Sequence, residues 1–386
     1  MGGYDFICEL ERAKLLGRFL PYTVGTERTG VSFDDSYARA NLVFFTDSHI
    51  DFRNYDESID NVRRTVDFVN SCPVTIDAVV NAGDAITPFG IREKSDAISR
   101  AEKFFGIVRD CKAPFIYSKG NHDLNDWGNH TSEILTDSDW GRLFLDYAEE
   151  KYGIVRQKKK SGDKSTWHYY DIETHKIRII AVDVMDTDKK SADENGIAKY
   201  FGGEFYISDE QINWISSEAL CFDGKQEKDW GVIMVFHHIS GDKPEHQNAV
   251  RELMRLCAAF NRCEVYENHY SCESNSFFDT DVIADFTGNL QYEKRPHMIC
   301  CLVGHVHEDK NEVIDGVNVI WTLNGSATTV ASDARIARIL GTSTQNCFDV
   351  MNIDTKTRKI RMFRYGAGVN CYGKGGDRFL PDGLDY

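Results

Sequence analysis

Residues 299–307 read ICCLVGHVH: five apolar residues, a glycine, then two histidines two positions apart. A short apolar run that stops at a glycine is the pattern of a strand buried on both faces. Histidines at that spacing across a tight turn can bring both imidazoles into one site. The same arrangement recurs upstream: Leu42–Phe45 is followed by Asp47-Ser48-His49, Ala78–Val80 by Gly83-Asp84, Phe115–Tyr117 by Gly120-Asn121-His122-Asp123, and Val232–Phe236 by His237-His238. Ligands of open α/β sheets bind outside the carboxyl ends of the strands, so these five loops are expected to converge.

Between the strands the period changes. Ile59, Val62, Val66 and Val69 give residues 57–71 an apolar helical face, and Ile98, Ala101, Phe104, Phe105 and Val108 do the same for 92–110. A further helix is expected at 248–260. Residues 166–184, with a turn at Glu173–Lys176, and 347–364, with a turn at Asp354–Lys359, each read as an antiparallel hairpin. Buried strands alternating with helices place the chain in the α/β class.

The 386 residues include 45 Lys and Arg against 61 Asp and Glu, a net charge of −16. That field repels polyanions and argues against a protein whose affinity comes from neutralising a nucleic-acid backbone. The densest cationic run, Gln157 to Lys160 with Lys164, is flanked by Ser161 and Gly162 and reads as a solvated turn. The eleven cysteines form no C-x-x-C pair, and Cys300 and Cys301 sit together in an apolar run, the pattern of reduced, buried thiols. Asp5 and Glu9 stand where a secretory signal needs a basic start and an apolar stretch, and no segment approaches the roughly 18 apolar residues that span a bilayer. A cytoplasmic protein without membrane contact is expected.

Each polar block alone has an ordinary explanation. Gly-Asp is a common turn, Gly-Asn-His-Asp suits a surface loop, and paired histidines at a strand end are more often packed or solvated than ligating. All five together, each after an apolar strand, supply carboxylate and imidazole donors and no thiolate. That chemistry suits divalent Mn, Fe or Zn rather than a structural thiolate zinc. Two such ions need a shared carboxylate, and a pair can clamp the attacking and leaving oxygens of a displacement at phosphorus.

The series Asp47-x-His49, Gly83-Asp84, Gly120-Asn121-His122-Asp123, His237 and Gly304-His305-x-His307 resembles the calcineurin-like metallophosphoesterases, over about residues 40–310. Asp47 to Asp84 and Asp84 to Asn121 each span 37 residues. The resemblance implies a four-layer α-β-β-α sandwich of two mixed sheets flanked by helices, with the site at one edge and the later hairpins extending the second sheet. It implies an N-terminal extension at 1–39, a metallophosphoesterase domain at 40–365 whose insertion 239–297 caps the site, and a Gly-rich tail at 366–386, either laid over the surface or frayed.

Residue by residue, the resemblance implies that Asp47, His49, Asp84 and His307 hold one divalent ion and Asp84, Asn121, His237 and His305 the other, with Asp84 shared. His237 is preferred over His238 because the family usually has His-x-Pro here and ligates through the first histidine; this chain has Ile239 in place of the proline. The implied activity is hydrolysis of a phosphate ester by a hydroxide held between the ions, with His122 stabilising the transition state or protonating the leaving group. Asp123 is either a support of the ligands or part of an exposed loop, and His238, His130 and His269 are further candidates near ligands or substrate.

Departures narrow the substrate. Protein Ser/Thr phosphatases carry Asp-Arg-Gly after Gly-Asp and a Glu after Asn-His, where this chain has Ala85-Ile86-Thr87-Pro88 and Asp123. Purple acid phosphatases place a ligating Tyr where this chain has Thr87. A small-molecule phosphate mono- or diester is the expected substrate. A nuclease and a non-catalytic binding scaffold on the same fold are the alternatives, the first disfavoured by the acidic balance and the second by the full ligand set.

Overall fold

Alternate residues of the Val232–Phe236 run face two different cores. A computed structural model describes residues 3–23, 39–50, 55–87, 93–125, 134–186, 207–225, 227–239, 244–271, 279–327, 338–368 and 376–386. In chain order these form α1 (Gly3–Thr23), β1 (Arg39–Phe45), α2 (Tyr55–Ser71), β2 (Ala78–Asn81), α3 (Lys94–Val108) and β3 (Phe115–Tyr117). Next come α4 (Asp137–Trp140), α5 (Asp146–Tyr152), β4 (Val155–Lys158), β5 (Lys164–Ile172), β6 (Ile177–Ala181), α6 (Asp209–Trp214), β7 (Gly231–Phe236) and α7 (Pro244–Arg262). The chain closes with β8 (Val265–Ser271), β9 (Asp279–Asp285), β10 (His297–Val303), β11 (Lys310–Ile314), β12 (Val317–Trp321), β13 (Cys347–Asp354), β14 (Lys359–Gly366) and β15 (Leu384–Asp385).

Two mixed sheets result. One has six strands in the order β15-β14-β13-β1-β2-β3, the other seven in the order β11-β12-β10-β7-β6-β5-β4. β1, β2 and β3 run parallel, as do β6, β7, β10 and β12. Ile233 and Val235 share one core with Phe44, Val80 and Ile116 of the opposite sheet. Their neighbours Val232, Met234 and Phe236 face a second core with Ile212 of α6 and Leu253 and Phe260 of α7. Strands with two apolar faces can only be internal layers, which explains the sandwich. Each such side chain contributes roughly 1.5–3 kcal/mol by burial.

The six-stranded sheet carries α1, whose Leu15 and Phe19 are fully buried, with Phe19 edge-on to Phe363 at 5.5 Å. The segment read as an extension thus supplies part of a core. The 347–364 hairpin does not extend the second sheet as expected. It forms β13 and β14 in the six-stranded sheet, where β13 pairs antiparallel with β1 and the Asn352 amide donates to Asn41 Oδ1 at 2.9 Å. The hairpin at 164–181 does join the seven-stranded sheet.

Within the insertion 239–297, α7 forms part of the outer layer of the seven-stranded sheet, and β8 and β9 pair as a separate hairpin. Residues 240–243 and 272–278, which include much of the aromatic-rich stretch, lie outside the described residues. The Gly-rich C-terminus is laid over the sheet in its described part: Arg378 bridges Met362, and β15 pairs with β14. Lys159 in the cationic run is less solvated than expected, with its ammonium 2.8 Å from Asp137. The nine cysteines among the described residues are free thiols, and no helix among them is long and apolar enough to cross a membrane.

Candidate metal centre

The ends of β1, β2 and β3 deliver Asp47 with His49, Asp84, and Asn121 with His122. The ends of β7 and β10 deliver His237, and His305 with His307. The cluster therefore lies on the seam between the two sheets, with donors from both. The structure brings together all seven residues expected to ligate.

They fall into two sets. In the first, His307 Nε2 lies 3.1 Å from Asp47 Oδ1 and 3.1 Å from His49 Nε2, and His49 Nε2 is 3.7 Å from Asp47 Oδ1. In the second, His237 Nε2 lies 2.9 Å from Asn121 Oδ1, and His305 Nδ1 lies 3.0 Å from the same oxygen and 3.2 Å from His237 Nε2. Asp84 belongs to both, because its Oδ2 is 3.1 Å from His237 Nε2 and 3.8 Å from His49 Nε2. Its other oxygen accepts the His122 backbone N–H at 2.8 Å, which leaves Oδ2 facing the two sets. Two carboxylates, one amide oxygen and four imidazole nitrogens, with no thiolate, fit borderline divalent ions.

No protein-family model and no curated protein sequence matches the chain. Among solved structures, a dimetal phosphatase from Danio rerio is similar at TM-score 0.49 and 13% identity, over 85% of this chain and 96% of its own. A phosphopantetheinyl hydrolase from Mycobacterium tuberculosis gives 0.33 and 13%, over 75% and 89%, and an archaeal phosphodiesterase 0.31 and 9%, over 84% and 99%. At these levels none of them carries an argument about activity. The two mixed sheets and the meeting of the five strand-end blocks agree with the fold expected from the sequence.

The backbone of the cluster is strained. Asp47, His49, Asp84, His305 and His307 all have positive φ, at 54°, 44°, 53°, 70° and 56°. Such conformations cost on the order of 1–3 kcal/mol each outside glycine and persist only where the surroundings over-determine them. Close packing of the loops does this. A Cβ at Gly120 would collide with Asp84 Oδ1, and one at Gly304 with Thr46 Oγ1 and Asp47 Oδ2.

Neighbouring groups orient these side chains. His237 Nδ1 donates to the Ala82 carbonyl at 2.7 Å and His49 Nδ1 meets Thr87 Oγ1 at 3.0 Å, which leaves Nε2 of each ring facing the cluster. Asp123 is fully buried and not on an exposed loop. Its carboxylate accepts from the backbone N–H of Gly120 (2.7 Å), Asp84 (2.9 Å) and Ala85 (3.0 Å) and from the Tyr117 hydroxyl, clamping the loops after β2 and β3 together. Sequence reasoning named Thr87 only as a departure from a ligating Tyr, and gave neither Thr87 nor Tyr117 a role at the site. Their offset of three residues after Asp84 and before Gly120 was the available signal.

His238 is buried with its ring 3.8 Å from that of His305, so it packs against the cluster while its neighbour His237 enters it. His122 Nε2 is 3.9 Å from Asp84 Oδ2, and its side chain is 14% exposed. His269 Nδ1 lies 2.9 Å from Asp281 Oδ1 on the β8–β9 hairpin, and His269 is not part of the cluster. His130 lies outside the described residues.

Electrostatics favours the ligating protonation state at His49, His305, Asp47 and Asp84, but not at His237. Burial, then His122, pushes His49 down to about 3; burial, then His237, pushes His305 down to about 3; and burial also lowers His122 and His238. These rings are held neutral. His237 goes the other way, since Asp84 outweighs its burial and raises it to about 9. Burial alone would raise Asp47 and Asp84, but His307 beside the first and His237 beside the second hold both below the usual carboxylate range. Asp123 is raised to about 7 by burial and by the charge of Asp84.

Proposed function

We propose that the chain is a metal-dependent phosphoesterase acting on a small-molecule phosphate mono- or diester. The observation that carries this reading is Asp84 Oδ2, which faces an Asp47–His49–His307 set on one side and an Asn121–His237–His305 set on the other. Asp47, His49, Asp84 and His307 would hold one divalent ion, and Asp84, Asn121, His237 and His305 the second, as Mn, Fe or Zn. Such a pair lowers the pKa of water toward neutrality and offsets charge growing on phosphoryl oxygens.

The protein's own groups do the rest. Ala82, Thr87 and Asp123 fix ligand rings and loops so that little reorganisation is needed during reaction. His122, partly exposed beside Asp84, is placed to donate a hydrogen bond to a phosphoryl oxygen or a proton to the leaving group. The acidic net charge of −16 favours a small substrate over a polyanion.

Metal analysis of the purified chain, coupled to a screen of monoesters and diesters with and without Mn²⁺ after chelation, tests the proposal. The expected result is up to two ions per chain and turnover that chelation abolishes and Mn²⁺ restores. A metal-loaded protein with no turnover on a broad panel would point instead to a binding scaffold.

A further inference from the structure

Behind the turn that carries His305 and His307, a second charged cluster, buried at Arg364 and Asp349 and open to solvent at Asp309, crosses the seam between the sheets. Arg364, on β14, is fully buried and its guanidinium lies between two carboxylates. Nε and Nη2 donate to Asp349 on β13 at 2.8 and 3.0 Å, and Nη1 and Nη2 donate to Asp309 at 3.0 and 2.6 Å. Nη2 also reaches Thr322 Oγ1 at 3.0 Å and Nη1 the Ala367 carbonyl at 3.1 Å. Arg378 donates to Asp349 at 3.0 Å, so two cations face two carboxylates. Arg364 and Asp349 belong to the six-stranded sheet. Asp309 and Thr322 follow strands of the seven-stranded sheet, Asp309 only two residues after His307.

We propose that Arg364 is a positioning residue of the metal centre: through its two-pronged pair with Asp309 it ties the Gly304–His307 turn to β13 and β14. This rests on reading the strand-end cluster as a metal centre. Asp47, Asp84 and Asn121 come from one sheet, and His237, His305 and His307 from the other, so both ligand sets depend on how the sheets sit against each other. The turn also needs restraint, because His305 and His307 are both held at positive φ.

On its near side the turn is held by the Gly304 N–H to the His237 carbonyl at 3.1 Å and the His305 N–H to Asp47 at 3.0 Å. On the far side Asp309, next to the Lys310–Trp321 pairing of β11 with β12, adds a side-chain tie, and it also accepts the Leu323 N–H at 3.2 Å. A buried ion cluster seldom adds net stability over apolar packing of the same volume. A paired guanidinium and carboxylate does fix orientation, which a lysine cannot reproduce.

The test uses the full chain with Asp309→Asn and, separately, Arg364→Lys, titrated with Mn²⁺ by calorimetry and assayed for kcat against Mn²⁺ concentration. Asp309→Asn leaves Arg364 paired with Asp349, so its far-UV circular dichroism and metal-free unfolding midpoint should stay near wild type. Its affinity for at least one of the two ions should fall about 10–100-fold, with kcat reduced at limiting Mn²⁺ and regained at saturation. Arg364→Lys, which keeps the charge and loses the fork, should show the same weakening. Should it fail to fold, Asp309→Asn carries the test.

Wild-type Mn²⁺ affinity in Asp309→Asn would overturn the proposal, as would a lowered kcat that saturating Mn²⁺ does not restore. A wild-type chain that binds no Mn²⁺, Fe or Zn would overturn the proposed function and this inference with it.

Discussion

The strand-end cluster and the Arg364 cluster both bury charged side chains on the seam between the sheets, yet they are built on opposite rules. Around Arg364 donors meet acceptors: one guanidinium contacts two carboxylates, a hydroxyl and a carbonyl. Around Asp84 carboxylate and amide oxygens and imidazole nitrogens converge on one another. His49 and His307 turn Nε2 toward each other at 3.1 Å, and Asn121 Oδ1 stands between His237 and His305. The outer nitrogens of His49 and His237 are already engaged by Thr87 and Ala82. A closed set of charges fixes geometry, whereas a convergent set of lone pairs is suited to cations.

The sharpest break of this contrast is Asp84→Asn, which removes the charge shared by both sets. Activity should fall to assay background and metal content should drop, read by elemental analysis after dialysis. Retention of both ions would remove Asp84 from its bridging role. His122→Ala comes next, with an expected loss of roughly 10²–10⁴-fold in kcat and unchanged metal content, which separates a group acting on substrate from one that holds an ion. An equal loss of metal would place His122 among the ligands.

The closed cluster should respond to acid and not to chelator. Arg364, ahead of Arg378, holds the Asp349 carboxyl below its ordinary value despite burial. A carboxyl depressed in the folded state contributes stability above its unfolded pKa, about 3.9, and loses that contribution as pH falls through the folded value. In metal-free protein, Asp349→Asn should therefore cost about 3–5 kcal/mol near neutrality, with the gap to wild type narrowing in urea unfolding at increasingly acid pH below about 4. A pH-independent gap would show that charge is not what this cluster contributes. The smallest effect is expected for Thr87→Val, about 10-fold in metal affinity through loss of the contact orienting His49; an unaltered titration would mean that the ring is held by packing alone.

Much of the strand-end cluster was legible because a buried strand has a simple signature and its polar block follows it within a few residues. The runs at 42–45, 78–80, 115–117, 232–236 and 299–303 lie within strands, and each delivers its polar block to one place. The Arg364 cluster was not legible. Arg364, Asp349 and Asp309 are single charges in otherwise ordinary strands and turns, and the Arg364–Asp309 pair spans 55 residues. The placement of the 347–364 hairpin beside β1 also escaped, because alternation specifies a strand's two faces but not its neighbour.

The sequence alone determined the α/β class, the five strand-end blocks and the donor types, since backbone periodicity and side-chain chemistry are local properties. Tertiary structure decided what required two distant segments to meet. It set the strained φ values of the cluster, the burial of Asp123 between two loops, the entry of His237 with His238 packed outside, and the joining of the sheets through Arg364. Each of these is fixed by packing across the seam, where close contact and loss of water, rather than local propensity, set the energy.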